Sequence, residues 1–250
     1  MIGSDAEIFP NICTEYNDTF TNKSEDDVCK EKKSVYSVAV EGNIGCGKST
    51  FLNYFKKFLN VEVLVEPVEK WKCIRGFNSL DLMYKDATRW SSAFQSYVTL
   101  TMLQNHHSLK DDMKVRMTER SVYSARYCFI ENLHQSKLMP EVDYAMLCEW
   151  HDWIKTNAEA QLDLIVYLKA SPETCLQRIE ERNRNEEKGV PLDYLKTLHR
   201  LHEDWLIKKS HGKLPCKVLE IDTEGSKEMV LEKIKLFEST ILCDVTPQIS

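Results

Sequence analysis

Val35-Tyr36-Ser37-Val38-Ala39-Val40-Glu41 runs directly into Gly42-Asn43-Ile44-Gly45-Cys46-Gly47-Lys48-Ser49, and Thr50-Phe51-Leu52-Asn53-Tyr54-Phe55 follows. The first seven residues are small or β-branched with one tyrosine, and they predict a buried strand. The next eight satisfy G-x-x-x-x-G-K-[ST] at every position, and the last six open a helix. Strand, glycine-rich turn and helix in that order form the setting in which a loop wraps a phosphate. Gly42, Gly45 and Gly47 leave room for backbone N–H groups to converge on an anion. The helix beginning near Lys48 adds its positive dipole end and unpaired amides. In such a loop the lysine reaches the β- and γ-phosphates and the serine hydroxyl coordinates Mg²⁺. A nucleoside triphosphate site is therefore expected over Gly42, Asn43, Ile44, Gly45, Cys46, Gly47, Lys48, Ser49 and Thr50.

The chain has 250 residues, a length that suits one large α/β domain. Its hydrophobic fraction of 42% and charged fraction of 29% are ordinary for a globular protein. The net charge of −6 gives no global drive toward nucleic acid or an anionic membrane. No run approaches the ~20 apolar residues that span a bilayer. Residues 1–33 carry eight acidic and four basic side chains without sustained periodicity, which predicts a disordered acidic tail. That acidic start is unlike an arginine-rich mitochondrial leader, so an intracellular, cytoplasmic setting is expected. Nine cysteines, odd in number and never in C-x-x-C, fit a reducing compartment and offer no metal-ligand spacing. Cys46 sits where the loop dipoles favour a thiolate, but we read it as a small loop filler.

Strands and helices alternate through the rest of the chain. Val61–Val65 predicts a second strand that stops at Glu66-Pro67, because proline removes a ladder amide. Glu66 thus falls at a strand's carboxyl end, the edge at which open α/β sheets bind ligands. Over Ser91–Gln104, Phe94, Gln95, Val98 and Met102 share one helical face. A glutamine on such a face either bonds a backbone group within the core or meets the donor–acceptor edge of a nucleobase. Val115–Thr118 reads as a weak third strand, with polar residues at 116 and 118, ending in Glu119-Arg120-Ser121. Ser121 is placed to cap a helix running to about Asn132. A helix over Glu141–Ala160, a strand over Leu162–Leu168 and a helix capped at Ser171-Pro172 follow. Arg182 and Arg184 lie in that helix's charge-dense end, which is either solvated or a lid over phosphates. A helix over Pro191–Lys208, a strand over Cys216–Ile221 and a helix over Lys227–Leu242 complete the pattern. The alternation predicts an α/β fold, a five-stranded parallel sheet with helices on both faces. One domain is expected over 34–243, with a short disordered tail over 244–250.

Further motifs carry a family resemblance. Glu41 to Ser49, Glu66-Pro67-Val68-Glu69-Lys70-Trp71, Phe94-Gln95-Ser96-Tyr97 and Glu119-Arg120-Ser121 resemble the deoxyribonucleoside kinases. Ser124-Ala125-Arg126-Tyr127-Cys128-Phe129 and His202-Glu203-Asp204-Trp205-Leu206 extend the likeness. The resemblance covers about Val35 to Ile221 and is nearest to the insect multisubstrate and mitochondrial thymidine kinase branch. It implies a P-loop kinase fold with an arginine-bearing lid and ATP-dependent 5′-phosphorylation of deoxyribonucleosides. It makes Glu66 the base for the 5′-hydroxyl and Arg120 the arginine that steadies it. Glu119 joins Ser49 at Mg²⁺, and Lys48, Arg182 and Arg184 neutralise the triphosphate. Gln95 pairs with the nucleobase between Trp71, Phe94 and Phe129, and Tyr84 with Glu187 holds the 3′-hydroxyl.

Uncharged Val98, Met102 and Ala125 stand where the deoxycytidine kinase branch carries an arginine and an aspartate. That implies thymidine and deoxycytidine as favoured substrates, with purine deoxynucleosides weaker. Leu133 departs from a methionine of the insect enzyme. A homodimer and feedback inhibition by dTTP are implied by the same resemblance. Two rivals bear on this reading: a thymidylate-type monophosphate kinase, whose acceptor needs no general base, and a non-catalytic structural relative, which should lack some reacting residues.

Overall fold

The computed structural model describes residues 35–107, 113–158, 160–184 and 189–243. The two expected tails and Glu187 lie outside the described residues. Strands β1 (Tyr36–Glu41), β2 (Val61–Leu64), β3 (Val115–Glu119), β4 (Leu164–Lys169) and β5 (Lys217–Asp222) form one sheet. Its order is β2-β3-β1-β4-β5, and every pairing is parallel. β1 lies at the centre, so the loop after Glu41 emerges between the carboxyl ends of β3 and β4. Open α/β sheets place their ligands at such a point.

Period-two alternation assigns each strand residue to one of two cores. Val38, Val40, Val166 and Leu168 face one side, where Phe51, Leu52 and Phe55 of α1 (Lys48–Phe55) cover them. Ala39, Ile165 and Tyr167 face the other, under Phe94, Leu198 and Trp205. Burying each large apolar side chain contributes about 1.5–3 kcal/mol, and only a sheet covered on both faces satisfies both sets.

β3 is an inner strand despite its polar residues. Arg116 lies opposite Glu62 in the register with β2, and its Nε is 3.2 Å from Glu62 Oε2. Arg116 Nη1 also donates to the His106 carbonyl. Internal pairing, which composition does not show, makes an arginine acceptable there.

The remaining helices are α2 (Val68–Lys72), α3 (Ser79–Lys85), α4 (Ala87–His107), α5 (Val122–Ser124), α6 (Glu131–Gln135), α7 (Glu141–Asn157), α8 (Pro172–Arg182), α9 (Leu192–His202), α10 (Lys227–Leu236) and α11 (Glu238–Ile241). Several depart from the expected spans. α2 and α3 were not anticipated, although Asn78 caps α3 by accepting from the Asp81 amide. α7 stops before Ala160, and Asn157 Nδ2 donates to the Trp153 carbonyl at its last turn. The expected final helix breaks at Phe237, whose side chain packs on the first core. π-helical turns span Ala125–Ile130 and Glu203–Ile207, and the second accompanies the near-complete burial of Trp205. Ser121 caps α5 with a reciprocal capping box, as expected.

Two buried histidines set an acid limit on the fold. His202 Nδ1–H donates to the Leu198 carbonyl, its ring stacks on Tyr167, and burial pushes its pKa down to about 3. Burial likewise lowers His151 to about 4. Both start from 6.5, so below that pH the unfolded chain binds more protons than the folded one. Stability is therefore complete above pH 6.5 and declines as pH falls toward 4, by up to ~1.4 kcal/mol per unit for each histidine. Denaturant titrations over that range check this, and a pH-independent midpoint would contradict it.

Candidate active site

The phosphate loop is built as its glycines require. Gly42, Gly45 and Gly47 have φ of 137°, 81° and 108°, a region that side chains resist. Lys48 begins α1, and its ammonium donates to the carbonyls of Asn43 (2.8 Å) and Gly42 (3.3 Å). Asn43 Nδ2 donates to the Leu195 carbonyl, and Asn43 Oδ1 accepts from the Ile44 amide, which pins the loop's first turn. Cys46 is fully buried in the first core and its carbonyl accepts from Thr223 Oγ1, so it does fill the loop.

A cleft of ≈2240 Å³ opens over this loop. Pockets for one small ligand run to ~300–1,000 Å³, so the cleft has room for two. Glu66, two residues beyond β2, and Glu119 and Arg120, at the end of β3, meet here. Arg120 is held at φ 63°, uncommon for a non-glycine residue, with its amide bonded to the Val40 carbonyl. Its Nη1 donates to the Gly42 carbonyl at 2.8 Å, and its guanidinium lies 4.7 Å from the centre of the Phe129 ring. Arg120 Nε is 3.0 Å from Glu66 Oε1, an ion pair whose angle falls outside hydrogen-bond geometry. Burial raises the Glu66 pKa, with Arg120 opposing and Glu119 adding to the rise. Burial draws the Arg120 pKa down, but Glu66, Glu41 and Glu119 outweigh it and the net movement is upward.

Also in the cleft lining, Gln95 on α4 is 3% exposed and its Oε1 accepts no hydrogen bond. Phe94 and Phe129 line the same cleft. A backbone partner for that oxygen, one of the two expectations for this residue, is absent among the described residues. Trp71, Val98, Met102 and Ala125 do not line the cleft. They pack behind it in the second core, where Trp71 Nε1 donates to Thr101 Oγ1 and the indole meets Phe94 edge-on. Leu133 reaches the cleft wall. Ser49, Thr50, Tyr84, Arg182 and Arg184 also line it, the last three as exposed residues.

The deoxynucleoside kinase family model matches residues 38–240, most of the chain and all of this site. The chain belongs to the deoxynucleoside kinase family. Mitochondrial thymidine kinase 2 of Homo sapiens is 51% identical over 219 residues, covering 88% of this chain and 80% of the relative. Deoxycytidine kinase of Homo sapiens is 38% identical, covering 84% of this chain and 94% of the relative. Deoxycytidine kinase 2 of Gallus gallus is 32% identical, covering 82% and 91%. The protein is thus a kinase for deoxynucleosides that draws its phosphoryl group from ATP.

Two residues of this deoxynucleoside kinase site escaped the sequence reading. Tyr194 lines the cleft from α9, and burial raises its phenol. Glu41 lies fully buried beneath the loop. Its signal was available, since a carboxylate closing an otherwise apolar central strand needs a reason to be there.

Proposed function

We propose that the chain transfers the γ-phosphoryl group of ATP to the 5′-hydroxyl of deoxyribonucleosides, favouring thymidine and deoxycytidine over the purines. The Glu66–Arg120 pair beside the phosphate loop carries the reading, because a hydroxyl acceptor needs a base and a phosphate acceptor does not. Glu66 accepts the hydroxyl proton as the new P–O bond forms and the bond to the ADP oxygen breaks. Arg120 orients that carboxylate, while Lys48, Arg182 and Arg184 neutralise charge on the moving group. Ser49 and Glu119 offer two hard oxygen ligands on the cleft. That set suits Mg²⁺, which takes its other ligands from phosphates and water and neutralises the triphosphate when bound.

Gln95 supports a base-pairing role, since the residue lines the cleft and its buried carbonyl oxygen has no protein donor, which a pyrimidine N–H would supply. The test is kcat/KM for the four natural deoxynucleosides, with Gln95→Leu beside the wild type. Thymidine and deoxycytidine should lead. The variant should lose about 1–3 kcal/mol of transition-state binding, roughly 5- to 150-fold, through an unpaired base edge. An outright purine preference would sink the reading of the base.

A homodimer fits the exposed apolar stripe on α7. Val142, Met146, Trp150 and Trp153 are 52–63% exposed at spacings of four, four and three, one helical face. Sedimentation of Trp150→Lys,Trp153→Glu should show monomers where the wild type sediments as a dimer. Feedback by dTTP is the reading that the family resemblance implies, and a cleft with room for two ligands supports it. For the compartment we propose the cytoplasm. All seven described cysteines are free, as in a reducing setting, and among the described residues no helix is long and apolar enough to cross a membrane. Cell fractionation decides this.

A further inference from the structure

One side-chain amide ties the phosphate loop to a helix 152 residues further along the chain. Asn43 is 3% exposed and does not line the cleft. Its Nδ2 donates to the Leu195 carbonyl of α9 at 2.8 Å. Leu195 is fully buried in the first core, together with Cys175 and Ile179 of α8 and Cys46 of the loop. Gly45 packs on α8 so closely that no side chain fits between it and the Cys175 carbonyl. Between the two helices, Lys196 Nζ lies 3.8 Å from Glu173 Oε1. The loop is therefore bonded to α9 at Asn43 and seated on α8 at Gly45. Arg182 ends α8 and Arg184 follows it, so both arginines lie in the chain between these two anchored helices. The local turn is already served by Asn43 Oδ1, which accepts from the Ile44 amide at 2.9 Å. Any carbonyl would satisfy the buried Nδ2 donor, and the one used belongs to the helix that follows the arginines.

We propose that Asn43 is a positioning residue for phosphoryl transfer, the joint that sets α9, and with it the arginines ahead of α9, against the phosphate loop. The inference rests on the roles of Lys48, Arg182 and Arg184 given above. Lys48 Nζ donates to the Asn43 carbonyl at 2.8 Å, so one residue meets the lysine through its backbone and α9 through its side chain. Cations stabilise the moving phosphoryl group best when they are already in place as its charge develops. A displacement near 1 Å at a positioning element costs on the order of 10²-fold. Loss of the amide therefore acts on the transfer step, and it acts through the arginines.

Steady-state kinetics with thymidine and ATP test this in a double-mutant cycle of Asn43→Ser with Arg182→Ala,Arg184→Ala. Serine still offers an oxygen to the Ile44 amide but is too short to reach Leu195. We expect Asn43→Ser to lower kcat by about 10-fold or more, with both KM values within about 3-fold of wild type. In the background lacking both arginines, the same substitution should change kcat by less than about 2-fold. Wild-type kcat in Asn43→Ser overturns the proposal. Equal loss in both backgrounds also overturns it, since Asn43 would then act on the loop alone. Asn43→Thr serves in the same cycle should Asn43→Ser not fold. Wild-type kcat in Arg182→Ala,Arg184→Ala removes the underlying reading of the arginines, whereas a large loss there beside a fully active Asn43→Ser removes only the role of Asn43.

Discussion

Glu66→Gln is expected to lower kcat for thymidine by about 10²–10⁴-fold while the enzyme stays folded and binds ATP normally. The amide preserves the volume at the carboxyl edge of β2 but cannot accept the hydroxyl proton. Arg120 remains buried yet keeps its hydrogen bond to the Gly42 carbonyl and its contact with the Phe129 ring, so the fold should survive the change. The wild-type pH profile provides a second readout. Burial raises the Glu66 pKa, and the base must be ionised to act. kcat/KM should therefore fall on acidification through a limb lying above the ordinary glutamate value, and that limb should be absent from the residual activity of the variant. Retention of more than about a tenth of the wild-type kcat would mean that no general base of this strength operates here.

Gly45→Ala should abolish productive ATP binding. An alanine Cβ would lie 2.5 Å from the Cys175 carbonyl oxygen and 3.1 Å from Ile179, at a φ of 81°. Neither neighbour is a flexible side-chain end that could yield, since one is backbone and the other a buried core residue in α8. The loop must move away, and a displacement near 1 Å at a positioning element costs on the order of 10²-fold. Gly47→Ala is the matched control. It carries a positive φ of 108°, but its Cβ would meet nothing within 4 Å, so only backbone strain of about 1–3 kcal/mol applies. Calorimetric titration with ATP should show Gly45→Ala far weaker than Gly47→Ala. Equal affinities would show that loop strain, and not the close approach to α8, governs the site.

The phosphate loop was legible from Gly42 to Ser49 because its chemistry is local. Backbone amides, three glycines and one lysine act within a single turn, and no distant residue is needed to recognise them. The two-sided sheet was legible for a similar reason, since the buried strands and the helices between them each announce themselves over a few residues. Glu66 could be placed at a sheet edge because Pro67 stops the strand. The roles of Arg120, Gln95 and the other cleft residues entered through family resemblance, which is a statement about relatives and not about forces in this chain.

Tertiary structure decided where each polar group finds its partner. Sequence alone left Gln95 divided between a backbone bond and a ligand, and only packing around α4 shows a cleft residue whose buried carbonyl oxygen has no partner. Arg116 made β3 look weak until its register with β2 set it opposite Glu62. Trp71, Val98, Met102 and Ala125 belong to motifs tied to the substrate, yet they stand behind the wall. The break at Phe237 and the π turn around Trp205 accompany packing of large side chains onto the cores, against local helical continuity. By itself, then, the sequence determined the kind of sheet, the phosphate loop and the chemical class. The pairing of Glu66 with Arg120 came only with the fold, because β2 and β3 are far apart in the chain and the energy of a buried charge depends on what lies within a few ångströms of it.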